Sequence, residues 1–160
     1  MAQQIEIKGR TVGGEAPTYI VAEMSANHHH DFDRAVEIIE AAGEAGADAI
    51  KLQTYTADTM TIDSEKEPFQ IDDGPWAGRT LYDLYEEAYT PWDWQPELQE
   101  IARDLGLDFF STPFDASAVE FLEELNVPVY KVGSFENVDL PLIRRIAETG
   151  KPTIMSTGMA

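Results

Sequence analysis

Short apolar runs alternate with amphipathic stretches along most of the chain, and this alternation predicts a repeated β-α unit. The first convincing strand is expected over residues 19–24. Asp31 suits a helix N-cap and Gly46 the position just past a helix end; between them Phe32, Ala35, Val36, Ile39 and Ala42 recur at helical spacing and predict one buried face. Further strands are expected over 49–54, 108–114, 129–134 and 153–157. Helices are expected over 81–88, 91–105, 116–125 and about 139–149. A long polar insert, about 55–80, follows the second strand and carries the turn signal Gly74-Pro75. Within residues 1–17, Ile5 to Lys8 and Thr11-Val12 predict a hairpin around Gly9-Arg10, suited to cover one end of a barrel.

Repeated β-α units imply a parallel sheet, whose strands are buried on both faces and read as continuous apolar runs such as Tyr19-Ile20-Val21-Ala22. Apart from the insert, the strand spacing suits a (β/α)8 barrel. Such a barrel typically needs about 250 residues, and five strands do not close it. The pattern therefore leaves two architectures: an open doubly wound sheet, or the N-terminal part of a TIM barrel cut before closure. No Gly-rich dinucleotide fingerprint follows the first strand, which weighs against the nucleotide-binding form of the open sheet.

With 160 residues and 43% apolar content the chain is long and apolar enough for one packed core. It has no cysteine, so disulfides and thiolate metal sites are excluded. The N-terminus lacks a basic start and apolar block, no apolar run has membrane-spanning length, and a cytoplasmic protein is the expectation. Net charge is −19. That surface disfavours nucleic acid and anionic membranes. It reads as a solvated acidic shell, with a cationic partner as the alternative. An anionic substrate needs a local basic pocket against this field, so lysines inside strands become informative.

Chemistry in α/β folds gathers at the C-terminal ends of strands. Those ends carry Glu23, Ser25, Asn27 and His28; Lys51 and Gln53; Ser111, Thr112, Phe114 and Asp115; Lys131, Ser134 and Glu136; and Ser156 and Thr157. Lys51 and Lys131 lie in apolar strands, where burial is costly without a partner. They read either as structural ion pairs or as a cradle for an anion, with Thr112, Ser134 and Ser156 supplying hydroxyls for phosphate or carboxylate oxygens. Glu23 closes an apolar strand and is the acid–base candidate if desolvated; a salt bridge to one of the lysines is its other reading. The His28-His29-His30 triplet is a poor chelator because neighbours diverge, so His28 and Asn27 read as positioning groups. The aromatics Tyr82, Tyr85, Tyr89, Trp92 and Trp94 read as packing, while Trp76, inside the insert, is placed to reach a ligand.

At these residues the chain resembles the sialic acid synthase family. The resemblance is carried by Ala22-Glu23-Met24-Ser25-Ala26-Asn27-His28, by residues 47–54 ending Lys51-Leu52-Gln53-Thr54, by Phe110-Ser111-Thr112-Pro113-Phe114-Asp115, by residues 129–136 ending Gly133-Ser134-Phe135-Glu136, and by residues 150–159. It covers nearly the whole chain in the family's order. Gln53-Thr54-Tyr55-Thr56, residues 74–82, Thr90-Pro91-Trp92-Asp93-Trp94 and Ser134-Phe135-Glu136 are more similar to the pseudaminic acid synthase branch than to the N-acetylneuraminate or legionaminate branches. The resemblance implies a truncated TIM barrel. It also implies condensation of phosphoenolpyruvate with an open-chain N-acetylated amino sugar (2,4-diacetamido-2,4,6-trideoxy-L-altrose in the pseudaminate branch) and water, to a nine-carbon 2-keto sugar acid and phosphate.

By the same resemblance Lys51, Thr112, Lys131, Ser134 and Ser156 are expected to hold phosphoenolpyruvate, Glu23 to act as acid–base, and Asn27, Gln53, Phe114 and Glu136 to contact the sugar. A divalent metal, Mn2+ or Mg2+, is implied with its ligands beyond Ala160, as are a C-terminal antifreeze-like domain and a homodimer in the full-length protein. The 160 residues alone are therefore expected to be inactive. A Schiff-base aldolase using Lys51 or Lys131, and a non-catalytic half-barrel, are the competing readings.

Overall fold

The computed structural model describes residues 4–158; Met1, Ala2 and Gln3 of the expected hairpin segment and Met159 of the last motif lie outside the described residues. The chain opens with an antiparallel hairpin of β1 (Ile5–Ile7) and β2 (Arg10–Val12). Its two-residue turn is Lys8-Gly9, with φ of 49° and 80°. Both turn positions are left-handed, the geometry that matches strand twist, and glycine takes it without strain. The turn lies one residue before the Gly9-Arg10 expected from sequence, because Arg10 pairs with Ile7 as part of β2. Arg10 forms an ion pair with Asp48, and Lys8 Nζ lies 3.2 Å from Asp108 Oδ1. Asp108 begins a strand and Asp48 immediately precedes one, so the hairpin covers the N-terminal end of the sheet, with Ile7 buried beneath it.

Five parallel strands follow: β3 (Val21–Glu23), β4 (Ala49–Thr54), β5 (Asp108–Pro113), β6 (Tyr130–Val132) and β7 (Thr153–Met155). Their order in the sheet is β3-β4-β5-β6-β7. A doubly wound sheet reverses its order at a switch point; this one never does. Right-handed crossovers in unbroken order put every helix on one face and curl the sheet around the other. The architecture is thus a half-barrel, the N-terminal portion of a TIM barrel, as the second of the two sequence readings held.

The outer layer is α1 (Phe32–Glu44), then α2 (Ala57–Met60) from the insert, α3 (Leu81–Ala88) just after it, α4 (Gln95–Asp104), α5 (Ala116–Glu124) and α6 (Leu140–Glu148). Carboxylates cap three of these helices: Asp31 accepts from the Arg34 amide, Asp115 from Ser117 and Ala118, and Asp139 from Leu142. Each satisfies amides that the first helical turn leaves without a partner. Gly46, at φ 78°, takes the left-handed position after α1. The core lies between sheet and helices, where Ile50, Leu52, Phe109, Tyr130 and Val132 meet Ile39, Leu98, Val119, Leu122, Leu142 and Ile146. Each such side chain stabilises the fold by about 1.5–3 kcal/mol, so the outer face of the sheet holds the half-barrel together.

Two details depart from the sequence pattern. The helix expected over 91–105 is split into a 3-10 turn, Trp92–Trp94, and α4, with Pro96 in the first turn of α4. Trp92 Nε1 donates to Tyr55 O at 3.0 Å, which anchors the turn. The insert is not a plain polar loop. It holds α2 and a 3-10 turn at Glu67–Phe69 ahead of α3, the helix expected over 81–88; it is tied across itself by Ile71 N to Arg79 O and Gly78 N to Ile71 O, and to α3 by Tyr82 Oη to Asp58 Oδ1 at 3.1 Å. Among the described residues no helix is long and apolar enough to cross a membrane.

Candidate active site

Alternation along each strand sends every second side chain to the concave face. Register then decides which of them meet. Glu23 stands opposite Lys51, Lys51 opposite Phe110, and Gln53 opposite Thr112. Ser111 pairs with Tyr130, so one step on Thr112 and Lys131 are neighbours. Above this row, at the C-terminal strand ends, opens a cavity of about 480 Å³. Lys51, Gln53, Thr112, Phe114, Lys131, Ser134 and Glu136 line it, seven of the ten residues singled out by sequence.

The two lysines are anchored differently. Lys51 is ion-paired with Glu23, and its side chain is 15% exposed. Lys131 Nζ donates to Ser156 Oγ at 2.6 Å and to Val132 O. Burial, and next the charge of Lys51, lower the Lys131 pKa below the ordinary lysine value, against the opposing pull of Glu136 and Glu23. Two cations beside one cavity, with hydroxyls of Thr112 and Ser134 on its wall, form a site whose vacant donors suit an anion.

Glu23 lies below the main cavity, in a smaller space it shares with Lys51, Lys131 and Phe110. The expected desolvation does not hold: its side chain is 39% exposed and paired with Lys51. What fixes it is local backbone. Ser25 adopts φ 50°, left-handed for a non-glycine residue, and its amide donates to Glu23 Oε1 at 3.2 Å. Ser156 touches the site through Lys131. Asn27 is turned aside: its Nδ2 donates to Met24 O at 2.9 Å, and it lines a neighbouring cavity with His29, Pro75 and Trp76.

His28 is not a substrate-positioning group, as the sequence suggested. It is fully buried; Nδ1 accepts from the His30 amide at 3.1 Å, which leaves Nε2 to donate to Thr90 Oγ1 at 3.0 Å. Burial and the neighbouring histidines push its pKa down to about 4. His30 Nε2 meets Tyr89 O at 2.8 Å. These two rings clamp the loop after β3 to the end of α3. Among the described residues no three His, Cys, Asp or Glu side chains are grouped to hold a metal ion, and His28 has no nitrogen to spare.

Sequence reasoning missed the far wall. Tyr55, Met60, Leu84, Tyr85 and Ala88 also line the cavity, beside Trp76, which the sequence did single out. Tyr55 packs edge-on against Tyr85 and Phe114, with centroids 5.7 and 5.3 Å apart. Burial raises the Tyr55 pKa to about 12; burial and Glu136 raise that of Tyr85. The signal was present in α3, where Leu84 and Ala88 are one helical turn apart, but that stripe is shared with ordinary core packing. Trp94 does pack, against His28 and Phe32.

Residues 38–160 match the NeuB family. The chain belongs to the NeuB family. Within it, this NeuB chain is 51% identical over 144 residues to the pseudaminic acid synthase of Helicobacter pylori, a match covering 90% of this chain and 42% of that protein. It is 36% identical to the N-acetylneuraminate-9-phosphate synthase of Homo sapiens, over 94% of this chain and 42% of that protein. The solved structure of an N-acetylneuraminic acid synthetase from Leptospira borgpetersenii superposes with a TM-score of 0.85 at 28% identity, over 100% of this chain and 51% of that one. This NeuB chain therefore spans about half, or less, of the length of these relatives. A truncated 3-deoxy-D-arabino-heptulosonate 7-phosphate synthase from Thermotoga maritima, 10% identical with a TM-score of 0.61, shares the fold.

Proposed function

We propose that these residues form the phosphoenolpyruvate-binding half of a pseudaminic acid synthase. The observation that carries this reading is the pair Lys51 and Lys131 on one cavity with Thr112 and Ser134. The relatives at about 50% identity support the branch. Lys51, Lys131, Thr112, Ser134 and Ser156 hold the phosphate and carboxylate of phosphoenolpyruvate by charge and hydrogen bonds. The sugar aldehyde lies toward Gln53, Phe114 and Glu136, with Asn27 further out. Carbon 3 of the enol attacks the aldehyde carbon, whose oxygen takes up a proton. Water adds at carbon 2 and loses a proton, and the C–O bond to phosphate breaks, leaving the 2-keto sugar acid. Glu23, held by Lys51 and the Ser25 amide, moves a proton at the water or at a sugar hydroxyl.

The family implies a divalent metal, Mn2+ or Mg2+, and the described residues do not offer it a ligand set. The same reading takes the full-length protein as a cytoplasmic homodimer acting on two small molecules.

The deciding experiment measures phosphate release from phosphoenolpyruvate by the full-length protein with manganese, offering each sugar separately. Release only with the 2,4-diacetamido-2,4,6-trideoxy sugar supports the pseudaminate branch. Release with N-acetylmannosamine moves the substrate to the N-acetylneuraminate branch. A Schiff-base aldolase is the second reading, favoured by the lowered pKa of Lys131; pyruvate trapped on the protein by borohydride, without phosphate release, would establish it.

A further inference from the structure

A second cavity, of about 260 Å³, opens at the other end of the strands, away from the lysine row. Its apolar floor is Leu107 and Phe109, where β5 begins, with Val127 and Pro128 from the loop before β6. Three cations stand around this floor, each from a different element. Lys8 comes from the hairpin turn, Arg103 from the last turn of α4, and Lys151 from the loop between α6 and β7. The chain has 11 basic residues against 30 acids, yet three of the 11 line this space and none of the acids does. The carboxylates that meet these cations lie outside the lining. Lys8 reaches Asp108 at 3.2 Å and Lys151 reaches Glu123 at 2.6 Å; Arg103 meets Glu100 and Asp104 at 3.8 and 3.7 Å, beyond hydrogen-bond range. An ammonium has three N–H donors and a guanidinium five, so donors are left over at all three. Arg103 also offsets the negative end of α4, but that does not account for Lys8 and Lys151 converging on the same apolar floor.

We propose that this cavity is a second binding site, for a small phosphate monoester with an apolar body. Lys8, Arg103 and Lys151 hold the head, and Leu107, Phe109, Val127 and Pro128 carry the body. Three cations approaching from three elements match the three terminal oxygens of such a group better than the two of a carboxylate. The site shares no residue with the strand-end cavity and does not depend on the synthase reading. It also belongs to the finished barrel. β5 is the middle strand of the five, and closing strands join at the edges β3 and β7, away from this space.

The test is equilibrium dialysis of the full-length protein against phenyl phosphate and, separately, inorganic phosphate. The lysines of the strand-end cavity also suit phosphate, so two variants are dialysed beside the unaltered protein. One carries Lys8→Gln and Arg103→Gln together, at side chains 59% and 62% exposed, where the fold tolerates change. The other is Lys131→Met. The double variant is expected to lose an equivalent of bound phenyl phosphate that Lys131→Met retains. Inorganic phosphate is expected to fill that equivalent roughly 10-fold more weakly, because it has no apolar body to bury. A double variant that keeps every equivalent of the unaltered protein overturns the proposal. So does inorganic phosphate filling that equivalent as tightly as phenyl phosphate, or no phenyl phosphate bound at about 10 mM. None of these outcomes touches phosphate release from phosphoenolpyruvate, so the synthase reading stands or falls separately.

Discussion

Lys131 Nζ and Ser156 Oγ are 2.6 Å apart, joining β6 to the residue just past the end of β7. The hydroxyl thus aims the amine while the strand buries it. On the proposed synthase reading, Lys131→Met in the full-length protein is expected to lower kcat/KM for phosphoenolpyruvate by roughly 10- to 100-fold, the value of hydrogen bonds to a charged group. Ser156→Ala is expected to cost about 3- to 10-fold, since the amine remains and only its aim is lost. Steady-state kinetics at saturating sugar separates the two.

The same lysine carries a stability cost. Its pKa is lowered in the folded state by burial and by Lys51, so the unfolded chain binds that proton more tightly. Stability contributed by this group therefore rises as pH climbs from the lowered folded value toward the ordinary lysine value, and at neutral pH the full cost is present. Lys131→Met is expected to unfold at the same or a higher urea concentration at pH 7 than the unaltered protein. A clear fall in the urea midpoint would mean that the bond to Ser156 outweighs burial.

His28 works in the opposite pH range. With a folded pKa of about 4 against an ordinary value of about 6.5, the neutral ring is favoured by folding. Its contribution is complete above pH 6.5 and is lost as pH falls toward 4. From pH 7 to pH 5 this group is expected to remove roughly 2 kcal/mol. Urea unfolding at both pH values checks it: the drop should be smaller in His28→Asn, whose side chain does not titrate.

Gly133 has no room for a side chain. A methyl there would collide with Oε2 of Glu136, the movable end of a flexible chain rather than backbone. Gly133→Ala is therefore expected to change stability by less than about 1 kcal/mol, while the carboxylate swings out of the cavity. The readout is a raised KM for the sugar, at least 5-fold, with an unfolding midpoint close to that of the unaltered protein.

Much of this arrangement was legible in the sequence, for reasons that can be named. Lys51 and Lys131 interrupt apolar strands, and a charge in such a place needs a purpose or a partner; here each has a partner, Glu23 for Lys51 and Ser156 for Lys131. The span of α1 followed from Asp31, Gly46 and the spacing between them. Other features were not legible. Glu23 ends a strand that looks buried, yet that strand is at the edge of the sheet and leaves the side chain exposed, and no local pattern reports which strand is the edge. The tie between His28 and Thr90 links residues 62 apart in sequence, beyond the reach of periodicity. The insert reads as loop because α2 is only four residues long and many of its holding bonds are backbone contacts, which carry no residue signature.

Those contacts tie residues 55–94 largely onto themselves, with His28 and His30 holding the far end at Thr90 and Tyr89. This segment leaves and rejoins the barrel between Thr54 and Gln95, two residues bonded to each other at 3.0 Å. A piece with such adjacent ends is suited to grafting. Exchanging residues 55–94 for those of a relative with a different sugar is expected to transplant the choice of acceptor while leaving the lysine cradle untouched, so partner choice can diversify by cassette replacement without rebuilding the chemistry.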